Sequence, residues 1–232
     1  MRQEKVIAVD SGNRNIKTLN HTFPASYMES GYLPSLGGDT IIYQDKEYIL
    51  DVFVYPQAFA AYLTIREKVE ESKIINIIDV GGYTVDLLQL TDFKPDMKVC
   101  TSLYSGANNL FNQINEVSRS KGKQNIPDAI IEGILLREPT TLHDASSERI
   151  ELVQTQADRF ARELLLEISN DRLDLTEYRT VFVGGGSILL KEHIEKTGLV
   201  SKPIFVDNVR ANVEGYHLLY ENLNPTHTQK EA

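Results

Sequence analysis

The chain has 232 residues, room for one large domain or two small ones, and its 41% hydrophobic and 25% charged residues are ordinary for a globular protein. The formal net charge of −9 speaks against direct, sequence-independent DNA binding, which needs clustered Lys and Arg to displace counterions. No apolar run approaches a bilayer span, the first residues lead straight into a strand, and the single Cys100 excludes an internal disulfide, so a cytoplasmic protein with no membrane partner is expected.

In chain order, residues 6–17 read as a β-hairpin: an apolar strand ending in Asp10, a tight turn through Ser11, Gly12 and Asn13, and a second strand containing Asn15, Ile16 and Lys17. Turn-rich segments at 30–34 and 37–39 follow, then two short alternating runs at 40–43 and 47–50. Residues 51–55 keep strand character until Pro56, which is well placed to open a helix over 57–69 with Phe59, Ala60 and Leu63 on its apolar face. Residues 75–86 are a second hairpin. A strand is expected at 97–103, then a helix after Gly106 whose apolar face is Leu110, Phe111, Ile114 and Val117. A polar turn at 121–125, a short helix within 126–136 and a loop at 139–147 precede a long helix over 147–169. Last come a buried strand at 180–183, a glycine run, a helix from 188 to about 196, a strand at 204–206 and a helix over 209–221. The polar tail at 224–232 reads as disordered. The alternation points to α/β architecture with mixed sheets.

The two hairpins are the same unit written twice. Setting Asp10 on Asp79 also sets Gly12 on Gly81, Ile16 on Val85 and Lys17 on Asp86. Such turns aim backbone N–H groups into a concave cradle suited to phosphate oxygens, and a strand-end aspartate can hold a hydrated divalent cation beside them. Asp10 and Asp79 are therefore the candidate metal ligands, with Ser11, Gly12, Asn13, Asn15, Gly81, Gly82, Tyr83 and Thr84 around the phosphates. Lys17 can reach a phosphate or pair with Asp10; Asp86 reads as a brace for its loop. Gly184, Gly185, Gly186 and Ser187 lie at a strand-to-helix junction, where missing Cβ atoms allow close approach and a helix start favours anions. A plain tight turn accounts for the run equally well, and no Gly-Lys-Ser/Thr of the Walker type is present. Gln57, in a first helical turn, can orient water for attack on a γ-phosphate without strongly activating it, or simply face solvent. His21, His143, His193, His217 and His227 lack metal-ligand spacing and read as surface or structural residues.

Taken together, this order of motifs resembles the actin-like ATPases of the actin, sugar-kinase and heat-shock chaperone superfamily, and more narrowly the ParM/StbA group of plasmid-segregation proteins. Residues 9–17 and 78–86 match the group's two phosphate loops, 56–59 its hydrolysis-linked segment, 183–187 its adenosine loop and 208–216 its closing segment. Gly106 falls where the family approaches the nucleotide's sugar. The resemblance implies duplicated actin-like (ribonuclease H-like) domains with a nucleotide cleft between them, divided here as residues 1–73 and 74–223. It implies ATP or ADP and Mg²⁺ as ligands, Asp10, Asp79 and Gln57 in hydrolysis, and nucleotide-dependent filaments as the self-assembled state. Such filaments reach plasmid DNA through an adaptor protein. The chain departs from the group in one large respect: Leu50 runs directly into Asp51, where the group inserts the rest of its first domain, including an outer subdomain that covers nucleotide and supplies filament contacts. The first domain is thus shortened. A shortened binding module that does not polymerise, and a small-molecule kinase of the same superfamily, are the two other readings; the kinase needs an acid where Gln57 stands.

Overall fold

The computed structural model describes residues 8–11, 15–20, 22–24, 40–43, 46–49, 58–69, 71–96 and 98–223. Expectations for Gly12, Asn13, Gln57, the segments 30–34, 37–39 and 51–57, and the tail at 224–232 lie outside the described residues.

The first hairpin is β1 (Val9–Ser11) and β2 (Asn15–Thr18), joined by β3 (Thr22–Pro24) in an antiparallel sheet of order β1-β2-β3. A separate antiparallel pair is formed by β4 (Thr40–Tyr43) and β5 (Lys46–Ile49). Two short helices, α1 (Phe59–Leu63) and α2 (Arg66–Val69), replace the single helix expected over this stretch. The Thr64 hydroxyl donates to the Ala61 carbonyl at 2.7 Å, a local bond that competes with the helical ladder and divides it there.

The main sheet begins with β6 (Ile74–Val80) and β7 (Val85–Thr91), the second hairpin. It continues through β8 (Lys94–Pro95) and β9 (Thr101–Leu103), both paired with β7. The strand expected at 97–103 is thus confined to its last three residues. The β7–β8 turn places Asp92 (φ 48°) and Phe93 (φ 64°) in the left-handed region with no glycine to announce it. Helices α3 (Ala107–Ser120), α4 (Asp128–Leu135), α5 (Pro139–Asp144) and α6 (Ser147–Asp171) follow. Helix α5 corrects the expected loop: Pro139 is preset for a first helical position, although this helix buries no side chain that would mark it by periodicity. Strand β10 (Arg179–Val183) leads into α7 (Gly185–Thr197), then β11 (Pro203–Phe205) and α8 (Ala211–Leu223).

The sheet order is β11-β10-β6-β7-β8, with β9 also on β7; β11, β10 and β6 are parallel and β7 runs against its neighbours. Both faces are covered, which is why β6 is a nearly unbroken apolar run. Ile78 and Val80 face a core with Leu110 and Phe111 of α3, Ile131 of α4, Phe160 and Leu164 of α6 and Leu190 of α7. Ile75 and Ile77 face a second core with Val181, Val183, Ala61 and Tyr62 of α1, Val69 of α2 and Ala211 of α8. Helices α1 and α2 therefore fill the second core, on one face of the main sheet, although they lie upstream of residue 73. Within the first core's helical layer, buried His193 is hydrogen-bonded through Nδ1 to Asp158 at 2.7 Å, clipping α7 to α6. That is the structural part expected of it.

This topology puts the interesting ends together. Because β10 is parallel to β6 with Val183 opposite Asp79, the residues after β10 emerge beside the Asp79 end of β6. Loops at the carboxyl ends of parallel strands are where α/β sheets expose their backbone for ligands.

Candidate functional site

The duplication seen in the sequence holds at the level of strand register. Asp10 lies opposite Lys17 across the first hairpin, and Asp79 lies opposite Asp86 across the second. Asp10 is 3% exposed and Asp79 6%. Lys17 Nζ lies 3.4 Å from Asp10 Oδ2, so the pairing alternative for Lys17 is realised. Asp86 accepts from the Ser102 hydroxyl, and the Thr84 hydroxyl approaches it at 3.5 Å, tying β7 to β9 as a brace.

The two hairpins feel each other. Burial pushes the Asp79 carboxyl up to about 6; the Asn212 side chain, donating to Asp79 Oδ2 at 2.8 Å, works against that rise. The carboxylates of Asp86 and Asp10 raise it further and Lys17 lowers it. Tyr216 of α8 is half-buried beside the same group, and its phenol is pushed upward by burial and by Asp10, Asp79 and Asp86. One acid from each hairpin thus shares a single electrostatic neighbourhood, roofed by α8.

The second turn is closed and buttressed by backbone hydrogen bonds. Gly81 N–H donates to the Thr84 carbonyl at 2.9 Å, closing the turn. From behind, three amides at the start of α3 hold its carbonyls: Gly106 N–H to Tyr83 at 3.1 Å, Ala107 N–H to Gly81 at 3.0 Å and Asn108 N–H to Gly82 at 2.8 Å. Among the described residues, the N–H groups of Gly82 and Tyr83 donate no backbone hydrogen bond, and the Tyr83 side chain is exposed. Gly106 is required by this fit, because a Cβ would strike the Gly82 and Tyr83 backbone. Its amide therefore braces the turn.

The glycine run is only partly a loop. Gly184 alone precedes α7, with φ 88°, and a Cβ there would collide with the Asp79 carboxylate and the Val80 carbonyl. Gly185 and Gly186 form the first turn of α7, so the helix starts three residues earlier than expected. A Cβ on Gly185 would meet nothing within 4 Å, whereas Gly186 packs on Val80. Ser187 is buried, with its hydroxyl 2.6 Å from the Val183 carbonyl and 2.7 Å from that of Gly184; it locks the turn from inside. Ser11 ends β1 and Asn15 begins β2, flanking the first turn.

Asn212 and Tyr216 are the side chains that sequence reasoning did not single out. Both sit within the 208–216 segment, but nothing local in the sequence says that they point at an acid more than a hundred residues upstream. The donor chemistry suits a hard cation. The Asp10 carboxylate adds to the raised proton affinity of buried Asp79, which a divalent ion relieves, and Mg²⁺ takes one or two carboxylates while keeping water. Among the described residues no three His, Cys, Asp or Glu side chains gather as a metal-holding group. A hollow of about 240 Å³ between α3 and α6, lined by Val117, Lys121 and Glu151 among others, is remote from these acids.

The fold has known counterparts. The archaeal actin homologue Ta0583 in complex with ADP superposes with a TM-score of 0.54 at 18% identity, over 76% of this chain and 60% of that one. Its selenomethionine form gives 0.58 at 19%, over 78% and 60%. The actin-like protein Alp7A gives 0.56 at 14%, over 75% and 55%. A Bacillus thuringiensis ParM hybrid with ADP gives 0.53 at 16%, over 72% and 27%. The chain therefore spans about 55–60% of the length of Ta0583 and Alp7A. No curated protein sequence matches it. The fold is actin-like, with its mixed sheet open and not closed into a barrel. Residues 77–196, more than half of the chain, match the family model described as archaeal actin homologue MreB-like, C-terminal, and the chain belongs to that family.

Proposed function

We propose that this protein binds a magnesium-loaded adenine nucleotide between its two hairpins, hydrolyses ATP slowly, and assembles with copies of itself into nucleotide-dependent filaments that serve plasmid segregation in the cytoplasm. The observation that carries the reading is the meeting of Asp10 and Asp79, one from each copy of the same hairpin, in one buried neighbourhood. Support comes also from the Gly82 and Tyr83 N–H groups, which donate no backbone hydrogen bond among the described residues, and from the ADP in the Ta0583 and ParM hybrid structures.

In this reading the N–H groups of the two turns bind phosphate oxygens, with Lys17 adding a positive charge. Asp10 and Asp79 would hold the cation, and Mg²⁺ when bound would neutralise the negative charge of the phosphates. Gly184 lets the adenosine end approach the backbone, with Gly185 and Gly186 presenting the positive end of α7. Gln57 orients the attacking water; being neutral, it positions the nucleophile with little activation, hence slow turnover. DNA is reached through an adaptor, in keeping with the chain's net negative charge.

Isothermal titration with ADP and ATP, with and without Mg²⁺, tests binding; the expected result is a magnesium-dependent affinity abolished by Asp10→Ala. Absence of any heat with either nucleotide would sink the assignment. Light scattering with ATP then separates assembly from binding alone, the second reading favoured by the direct Leu50–Asp51 junction. Scattering that rises with ATP and decays as phosphate appears supports filaments; a monomer that binds tightly and stays monomeric supports the simple binding module.

A further inference from the structure

Asn212 occupies an unusual place between two groups that need a partner. Its Nδ2 donates to Asp79 Oδ2 at 2.8 Å and its Oδ1 accepts the Ala58 N–H at 3.0 Å, and all three residues are buried. The orientation is dictated by chemistry: Ala58 can only donate and a carboxylate can only accept, so the amide cannot turn over without losing both bonds. Ala58 is itself strained, with φ 62° and ψ −49°, a conformation that side-chain-bearing residues rarely adopt. It precedes α1, which has no side-chain cap from its own segment. One side chain from α8 therefore holds both the carboxylate of the second hairpin and the amide of the residue that opens α1.

We propose that Asn212 is a positioning residue that couples the Asp79 carboxylate to the start of α1, so that a change at Asp79 alters the hold on Ala58, the chain neighbour of Gln57. The proposal rests on the reading of Asp79 as part of the nucleotide site, and it gives that site a route to the water-orienting segment. A cation held at Asp79 would draw electron density from the oxygen facing Asn212 and weaken that hydrogen bond. The carboxamide then settles differently against Ala58. A residue serving only to pack α8 on α1 would show no such link, because Gly215 against Ala60 already supplies that contact.

The coupling is measurable without nucleotide, from amide hydrogen exchange of Ala58 in the full chain and its Asp79→Asn, Asn212→Ala and doubly substituted forms. Asn212→Ala is expected to speed Ala58 exchange at least tenfold. Asp79→Asn is expected to change it several-fold, and that change should vanish in the double variant. Asn212→Leu, close in volume and lacking both hydrogen-bonding groups, should likewise leave Ala58 fast-exchanging and indifferent to Asp79→Asn; it serves if the alanine variant does not fold. Equal responses to Asp79→Asn with and without Asn212, or no response of Ala58 to Asp79→Asn, would overturn the proposal. Titration of the unsubstituted protein with nucleotide fails separately: no binding there removes the nucleotide assignment while leaving the Ala58 measurement readable.

Discussion

A carboxylate as deeply buried as Asp79 opposes folding whenever it is charged. Its pKa rises from 3.8 to about 6, so the folded chain holds this proton more tightly than the unfolded one. The associated stability is fully present below 3.8, falls as pH rises through about 6, and is gone above it; two units correspond to roughly 3 kcal/mol. Asp79→Asn retains an acceptor for Asn212 and removes the charge. Urea unfolding of the nucleotide-free variant should therefore show a gain of ~1–3 kcal/mol at pH 8 that shrinks toward pH 4. A gain of constant size across that range would refute an electrostatic origin. At this scale the sequence is informative where the signal is local: the Asp10–Lys17 and Asp79–Asp86 pairings follow from two hairpins of identical spacing. Asn212 and Tyr216 are silent in the sequence because their partners lie on another element, and only packing brings them together.

Helices α1 and α8 meet backbone to backbone. Gly215 of α8 lies so close to Ala60 that a Cβ would overlap the Ala60 carbonyl. Gly215→Ala must push the helices apart, and with them Asn212 from both its partners. A loss of ~1–3 kcal/mol is expected, read as a lower Tm, together with weaker nucleotide binding. An unchanged Tm would mean that the helices slide freely. Element types with strong periodicity, such as α3 and α6, are plain in the sequence. The features that escape it have weak local signatures: the break at Thr64, the glycine-free turn at Asp92 and Phe93, and the exposed helix α5. The start of α7 escapes for a different reason, since glycine is a poor helix former and tertiary contact with Val80 overrides its propensity.

Across the whole molecule, the main sheet depends on helices that precede it. A fragment beginning at residue 74 would lack α1 and α2 and uncover Ile75, Ile77, Leu88, Leu90, Val181 and Val183 on one face. It should elute as aggregate in size-exclusion chromatography, whereas one beginning at residue 58 should remain discrete. A monodisperse fragment from 74 would show that α8 alone covers that face. The overall architecture was legible because the hairpin is duplicated and the motifs follow in order. The division at 73 was drawn from sequence spacing, which carries no information about which sheet α1 covers. The seating of α3 carries one more consequence. Its first amides grip the Gly81–Tyr83 carbonyls while Leu110, Phe111 and Ile114 anchor the same helix in the core. The outward pose of that turn is consequently inherited from folding itself. On the proposed reading, an arriving anion would find its donors already set, with little conformational entropy left to surrender on capture.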